Sequence, residues 1–485
     1  VKILFTHSYF LKFDAKQYKA AMPYPPLGTL YVMAYLREHG YEVKLFDTMF
    51  CDSAQDIQGT IDSYQPDIFI SYDDGFNYLT KMCLTNMRDA CFEMQQYAKY
   101  KGCKVITSSS DAADHYNDYL EHGADVIAIG EAEQTVLELC EAFKNNSELD
   151  LISGIAFIKN NEIVKTLKRS VIKDLDTLPA PAWDLIDIAL YKNMWLRHHG
   201  YFSLNFVTTR GCPYKCNWCA KPIYGNRYNS HSPENIVLQI KKWQQQFGFT
   251  HVWFADDIFG LKPNWLKEFE FYVKREDLKI DYKIQSRADL LLEEDNIQHL
   301  ANTGCNMVWM GAESGSQKIL DAMDKGTKVE QIYKATGLLK KHQISVALFL
   351  QLGYLGETIE DIKLTIGMVE DLLPDDIGIS VSYPLPGTIF YVKVKEQLKE
   401  KSNWKDSDDL DMMFAGTYHK EFYKYLQRYI HKRYRKQVAI KSIRQFIQIP
   451  SFTNLKRGLS LLHLIPKERM IKNKLTKIEA TAKQL

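Results

Sequence analysis

Short β-branched apolar runs alternate with longer stretches of helical periodicity from residue 1 to about 145. Val1–Thr6, Glu42–Asp47, Asp67–Ser71, Cys103–Thr107 and Asp125–Ile129 read as strands. Five strands separated by helices predict an α/β domain over residues 1–150, a Rossmann-like doubly wound parallel sheet. The stretch after Pro25-Pro26-Leu27-Gly28 is apolar on one face and reads as a helix, and a second helix is expected near Thr80–Tyr100, ending before Gly102. Such sheets bind ligands at the carboxyl ends of their strands, here the loops at 6–26, 47–53, 71–75, 108–111 and Gly130-Glu131. The first of these loops has no G-x-G-x-x-G, which argues against a dinucleotide.

Residues 151–195 read as a linker. LISGIAFIKNNEIVKT predicts a hairpin turning at Asn160-Asn161, and the Pro-rich LPAPAW follows. The β/α alternation then restarts, with strands expected near Ser203–Thr209, Thr250–Ala255, Asp281–Gln285, Asn306–Gly311, Ile344–Leu350 and Ile377–Ser382. Ser232-Pro233 is a helix start signal within this series. Six β/α units are too few for a complete eight-stranded barrel and predict a partial (β/α)6 barrel over residues 196–400. A helical, basic C-terminal extension is expected over 401–485.

With 46% hydrophobic and 25% charged residues among 485, the chain is not globally disordered. Its uncharged stretches are too polar or too proline-broken to span a bilayer, and VKILFTH lacks the pattern of a signal peptide. A cytoplasmic chain is the expectation. Lys and Arg total 61 against 60 Asp and Glu, but residues 421–485 hold 16 of the cations and only 3 of the anions. Near-neutrality is therefore a sum of opposites: 45 cations face 57 anions in residues 1–420. The tail FYKYLQRYIHKRYRKQVAIKSIRQFIQI interleaves aromatic and aliphatic residues with cations. It reads either as a basic amphipathic helix for peripheral contact with an anionic membrane surface or a partner, or as a face that covers the barrel. No nucleic-acid-binding module accompanies it, so nucleic acid is not expected as a partner.

Nine cysteines at this length do not suggest a disulfide framework, and a cluster among them points to metal. In TTRGCPYKCNWCAKP, Cys212, Cys216 and Cys219 follow the first strand of the second series with C-x3-C-x2-C spacing. Three thiolates on a loop can hold three irons of a cubane cluster and leave the fourth open. The competing reading is a zinc site completed by His198, His199 or His231, although no second cysteine pair is present.

The cysteine motif, with an aromatic before its third cysteine, resembles the radical S-adenosylmethionine (SAM) superfamily. FADDIF (254–259), QSRADL (285–290), GAESGSQKILDAMDKGT (311–327), LGYLGET (352–358) and SYPLPGT (382–388) follow in the order such a resemblance requires. Together with YPPLGTLYVMAYLREHGYEVKLFD, QPDIFIS and ADVIAIGEAE they resemble the cobalamin-binding class that includes the anaerobic magnesium-protoporphyrin ester cyclase and many methyltransferases. The resemblance covers about residues 1–430.

It implies that Cys212, Cys216 and Cys219 ligate a [4Fe-4S] cluster that chelates SAM, with Trp218 against the adenine. The stretch Ala255–Asp257 then stands where the methionine ammonium is held, and Glu313 or Ser314 where the ribose is; on charge alone, the strand-end carboxylates of Asp256 and Asp257 can pair with that ammonium and Arg287 with the carboxylate of SAM. Solvated or helix-capping roles for the two aspartates, and structural ion pairs for Arg287 and Glu313, compete with these assignments. Gly311, Gly315, Gly353 and Gly356 are also readable as tight turns. Cobalamin is implied across the strand ends of the first sheet, at Gly130 and at Ser108, Ser109 and Ser110. Thr107-Ser108-Ser109-Ser110-Asp111 replaces the family's Gly-Gly-x-His-like loop after the fourth strand, and D-x-H-x-x-G, which would supply a lower axial histidine, is absent.

The implied activity is reductive cleavage of SAM to a 5′-deoxyadenosyl radical and cobalamin-dependent methylation of an unactivated carbon in a small-molecule or lipid substrate. A reductant such as flavodoxin or ferredoxin is the implied electron donor. A radical cyclase or rearrangement enzyme and a noncatalytic corrinoid-binding protein are the alternatives. A methylthiotransferase needs a second set of clustered cysteines, which Cys51, Cys83, Cys91, Cys103 and Cys140 do not form. No side chain is assigned as catalytic.

Overall fold

Apolar alternation places β1 (Lys2–Thr6), β2 (Glu42–Phe46), β3 (Ile68–Tyr72), β4 (Lys104–Ser108) and β5 (Val126–Ala128) in one parallel sheet of a computed structural model. The structure describes residues 1–77, 80, 84–219, 223–293, 295–398 and 403–482. Cys83, the stretch 81–83 of the helix expected from Thr80, and the boundary drawn at 400 lie outside the described residues. The chain forms two compact units, one of Val1–Pro213, Ala220–Ile284 and Asn403–Asp409, the other of Tyr214–Cys219, Gln285–Ser402 and Leu410–Leu485.

In the first unit the sheet runs β2-β1-β3-β4-β5 and continues into β6 (Ile155–Lys159) and β7 (Glu162–Lys165), which are antiparallel. Asn160 and Asn161 both have positive φ, 52° and 63°, the left-handed pair that a tight hairpin turn requires. The hairpin read as part of a linker thus closes the edge of the sheet, because Ile155, Ala156 and Phe157 bury their side chains against it.

Helix α1 (Leu27–Glu38) is buried nearly all round rather than on one face. It packs on β1, β2 and the later helix Glu133–Asn145, which leaves its first eight positions no solvent side. Helix α2 (Thr85–Tyr100) presents Ala90, Cys91, Met94 and Ala98 to a core shared with Leu4, Phe69 and Val105. Helices α3 (Ser110–Asp114) and α4 (Glu133–Asn145) open at the carboxyl ends of β4 and β5.

After helix α5 (Ile188–His199), strand β8 (Ser203–Phe206) begins a second parallel ladder, joined by β11 (His251–Phe254) and β12 (Asp281–Ser286). Between β8 and β11 lie a two-residue antiparallel pair, β9 (Thr209–Arg210) and β10 (Asn229–Ser230), and helix α6 (Pro233–Phe247). Ser232 accepts from the Asn235 amide at the start of α6, so the Ser-Pro signal marks a true N-cap. Helix α7 (Trp265–Arg275) precedes β12.

The second unit continues the β/α series with β13 (Cys305–Glu313), β14 (Ser345–Leu352) and β15 (Asp376–Val381), paired in parallel and linked by α8 (Val329–Lys341) and α9 (Ile359–Leu372). Each unit thus carries parallel strands joined by helices, the repeat of a β/α series. Three helices end the described chain: α10 (Lys420–Gln448), α11 (Phe452–Leu459) and α12 (Leu461–Ala482). Among the described residues no helix is long and apolar enough to cross a membrane.

Candidate active site

Each unit positions one part of the cysteine loop. In the first, Thr208 and Thr209 follow β8, and their amides and hydroxyls all donate to the carboxylate of Asp256, at 2.7–2.9 Å. Asp256 is 1% exposed, and burial, working against these four bonds, pushes its pKa up to about 7. This aspartate holds the backbone that leads into the cysteines, and Asp257 is the exposed member of the pair.

Arg210 follows, fully buried between Glu131 (2.5 Å) and Glu133 (2.7 Å) and under the rings of Tyr31, Phe76 and Tyr224. Glu131 belongs to the loop after β5, so this ion triad ties the start of the cysteine loop to a strand end of the first sheet. Gly211 has φ +83°, and a Cβ there would sit 2.4 Å from the Arg227 carbonyl oxygen. Cys212 is buried.

In the second unit, Asn217 pins the rest of the loop. Its amide group donates to the Ala322 carbonyl and to Asp324, its Oδ1 accepts from the Tyr354 hydroxyl, and its backbone pairs with Met323 and Phe390. Cys216 and Cys219 flank it, half-buried, and none of the three cysteines is in a disulfide. Trp218 is partly exposed, with its indole nitrogen buried and unpartnered.

Arg287, 4% exposed, lies over Tyr214 at 3.6 Å and pairs bidentately with Asp289. It also donates to the Lys325 carbonyl, and one guanidinium nitrogen is 4.0 Å from the Cys216 sulfur. Lys325 forms a buried pair with Glu313 at 2.8 Å. Burial works against its charge, but Glu313 and the Cys216 thiol outweigh that and hold its pKa above the ordinary lysine value. Glu313 sits at φ +57° beside a register shift in β13, a strained backbone for a non-glycine residue. Ser314 is fully buried, its hydroxyl bonded to Thr365 and to the Ser316 amide. Two cations therefore stand near Cys216, a setting that favours a thiolate.

The sequence motifs did not single out Asn217, Lys325 or Arg210. The visible signals were a polar residue inside the C-N-W-C step, the lysine of D-K-G-T and the arginine before Gly211.

At the strand ends of the first sheet, Ser108, Ser109 and Ser110 are all buried. Ser109 caps α3 through the Ala112 amide, and the Ser110 hydroxyl is buried with no partner. Asp111 is held by Arg88 and Tyr119; burial opposes its charge, but these partners keep its pKa below the ordinary value. Gly130 has φ +86°. An orphaned hydroxyl among small side chains fits a polar cofactor tail at this edge.

Residues 206–369 match the sequence profile of the Radical SAM superfamily. The chain carries a radical SAM domain. It is 27% identical over 429 residues to an uncharacterized methyltransferase of Pyrococcus horikoshii, across 86% of this chain and 90% of that one. It is also 25% identical over 326 residues to the anaerobic magnesium-protoporphyrin IX monomethyl ester cyclase of Synechocystis sp., across 66% of this chain and 63% of the cyclase. The cobalamin-dependent SAM radical enzyme OxsB, solved with aqua-cobalamin bound, superposes with a TM-score of 0.70 over 99% of this chain and 80% of its own, at 17% identity. At that identity the superposition speaks for the fold alone.

Among the described residues no three His, Cys, Asp or Glu side chains are gathered closely enough to hold a metal ion. The fit to a cluster rests on the donor set: three cysteines outside any disulfide on one loop, with two cations near Cys216.

Proposed function

We propose that this radical SAM enzyme holds a [4Fe-4S] cluster on Cys212, Cys216 and Cys219, SAM beside it and cobalamin at the strand ends of its first sheet, and that it methylates an unactivated carbon. The observation that carries the reading is the cysteine loop, with Asn217 locked between two of the thiols while Arg287 and Lys325 face the Cys216 sulfur. When bound, the cluster supplies the electron that splits SAM, and cobalamin supplies a transferable methyl group.

The protein's part is positioning and charge. Asp256 and Asn217 fix the backbone on either side of the loop, Arg210 anchors its start, and Arg287 and Lys325 offset the negative charge gathered there. Asp257 and Trp218 keep accessible surface for the ammonium and the adenine of SAM. Arg287 already satisfies Asp289 and Glu313 already satisfies Lys325, so contacts from these two to SAM require exchange of an existing ion pair. Ser110 and Gly130 are the positions proposed for the cofactor tail.

Similarity to the ester cyclase favours a second reading, radical cyclisation, in which no methyl group leaves the corrin. Single turnover with methyl-labelled SAM and candidate substrates separates the two. Label in the product is expected; label recovered only in methionine overturns methyl transfer.

A small-molecule or lipid substrate and a small reductant protein complete the proposal, together with peripheral contact of the tail with an anionic membrane. Phe422, Tyr423, Leu426 and Ile430 of α10 are buried, and Arg433 pairs bidentately with Glu370, so the first half of this helix is a packed element. Beyond it, Ile447, Ile449, Phe452, Leu459, Leu462 and Ile465 are exposed. Lys456, Arg457, Lys467 and Arg469 lie in the same stretch and join no ion pair among the described residues. Exposed aliphatic side chains interspersed with unneutralised cations match an anionic lipid surface.

A further inference from the structure

One face of the β8-β11-β12 ladder carries a row of polar and aromatic side chains that the cofactors do not explain. Strand register places Asn205, Trp253 and Lys283 side by side, and Ser203, His251 and Asp281 in the row before them. Their neighbours in sequence, Phe206, Phe254 and Tyr282, point the other way and pack with Trp183, Phe249 and Phe269. The row therefore lies on the opposite face of the ladder, beside Tyr24 and Pro25.

Lys283 stands 5.3 Å from the ring centroid of Tyr24 and 5.5 Å from that of Trp253, and these two rings are 4.7 Å apart. Among the described residues it has no ion-pair partner, yet part of its side chain stays accessible. Burial alone lowers its pKa, to about 8. A lysine so placed is costly to leave without an anion. Asn205, 1% exposed, is orphaned in a complementary way: its amide nitrogen donates to the Pro25 carbonyl, and its Oδ1 accepts from nothing. The pair lacks an oxyanion at one end and an N–H or O–H donor at the other, with two aromatic faces beside them.

We propose that Lys283, Asn205, Tyr24 and Trp253 form a subsite for the polar end of the substrate, an oxyanion with a neighbouring hydrogen-bond donor on a flat or unsaturated frame. The oxyanion is a carboxylate or a phosphate. It seats on the Lys283 ammonium, the donor reaches Asn205 Oδ1, and the frame lies against the two rings. The subsite rests on the radical SAM reading for its role, but its occupancy is measurable without turnover.

The anaerobically reconstituted full chain is titrated calorimetrically with 4-hydroxybenzoate, 4-hydroxyphenyl phosphate, benzoate and 4-hydroxybenzamide. Saturable binding of one hydroxylated anion is expected, and the tighter of the two names the oxyanion. Benzoate, which lacks the donor, should bind more weakly, and the uncharged amide weaker by about tenfold or more. Affinity should fall as pH rises through about 8, where Lys283 loses its charge. Lys283→Met should lower affinity about tenfold or more, and Lys283→Arg should retain most of it.

Equal binding of acid and amide, or unchanged affinity in Lys283→Met, overturns the subsite. Should the variant fail to fold, amine labelling of the wild type by trinitrobenzenesulfonate, read peptide by peptide, tests the same contact. Protection of Lys283 by the anion supports the subsite, and labelling indifferent to the anion overturns it. Reductive SAM cleavage on the same preparation reports separately on the radical SAM reading, so failure of either is distinguishable.

Discussion

Asp256 and Lys283 are opposite cases of a buried charge. Asp256 collects four donors, and Asp256→Asn would leave at most one oxygen for two backbone amides that only donate and turn its NH2 toward the Thr208 hydroxyl. That replacement should destabilise the protein by about 2–4 kcal/mol in chemical denaturation, whereas Asp257→Asn, at an exposed position, should change stability little. Lys283 has no anion, and its folded pKa lies below that of the free side chain. The folded state thus disfavours its proton, and this contribution to stability grows as pH rises from about 8 toward the unfolded lysine value. Lys283→Met should raise the unfolding free energy at pH 7 by about 1–3 kcal/mol; a fall would contradict the unpaired ammonium. Single residues were the least legible scale in the sequence. FADDIF marks a strand end but does not say which aspartate turns inward, and nothing local shows that Lys283 lacks a carboxylate, because its neighbours come from strands about thirty and eighty residues away.

Elements were easier to read, since two periodicities, one of strands and one of helices, suffice for them. All eleven strands expected in the two β/α series form, as does the hairpin at Asn160-Asn161. The sequence did not show that this hairpin extends the sheet, because pairing of β6 with β5 is a tertiary choice. Nor did it separate two uses of glycine in the turns. Gly353 and Gly356 have positive φ as turn residues, but Gly315 does not, and a Cβ there would lie 2.5 Å from the Leu364 carbonyl oxygen. At Gly211 both reasons apply. Gly211→Ala should therefore displace the cysteine loop and lower iron and sulfide content after reconstitution well below that of the wild type, with the far-ultraviolet circular dichroism retained. For the tail, Phe452→Asp with Leu462→Asp alters only exposed positions. Sedimentation with phosphatidylglycerol vesicles should show binding by the wild type and its loss in the double variant; equal binding would point away from this stretch.

At the scale of the whole chain, the near-zero net charge conceals an acidic body and a tail with a surplus of 13 cations, and this division was legible from counting alone. The fold class was legible too, because six motifs in order mark successive strand ends of one β/α series. What the chain acts on was not, since substrate-facing side chains alternate with core residues along the strands and form no contiguous motif. The central claim is that the C-x3-C-x2-C loop holds a cluster that cleaves SAM. Anaerobic reconstitution followed by reduction with dithionite in the presence of SAM tests it most directly. About four irons per chain and formation of 5′-deoxyadenosine are expected of the wild type, with both lost when Cys212, Cys216 and Cys219 are replaced by alanine. A fully loaded wild type that forms no 5′-deoxyadenosine, or a triple variant that still does, would contradict it.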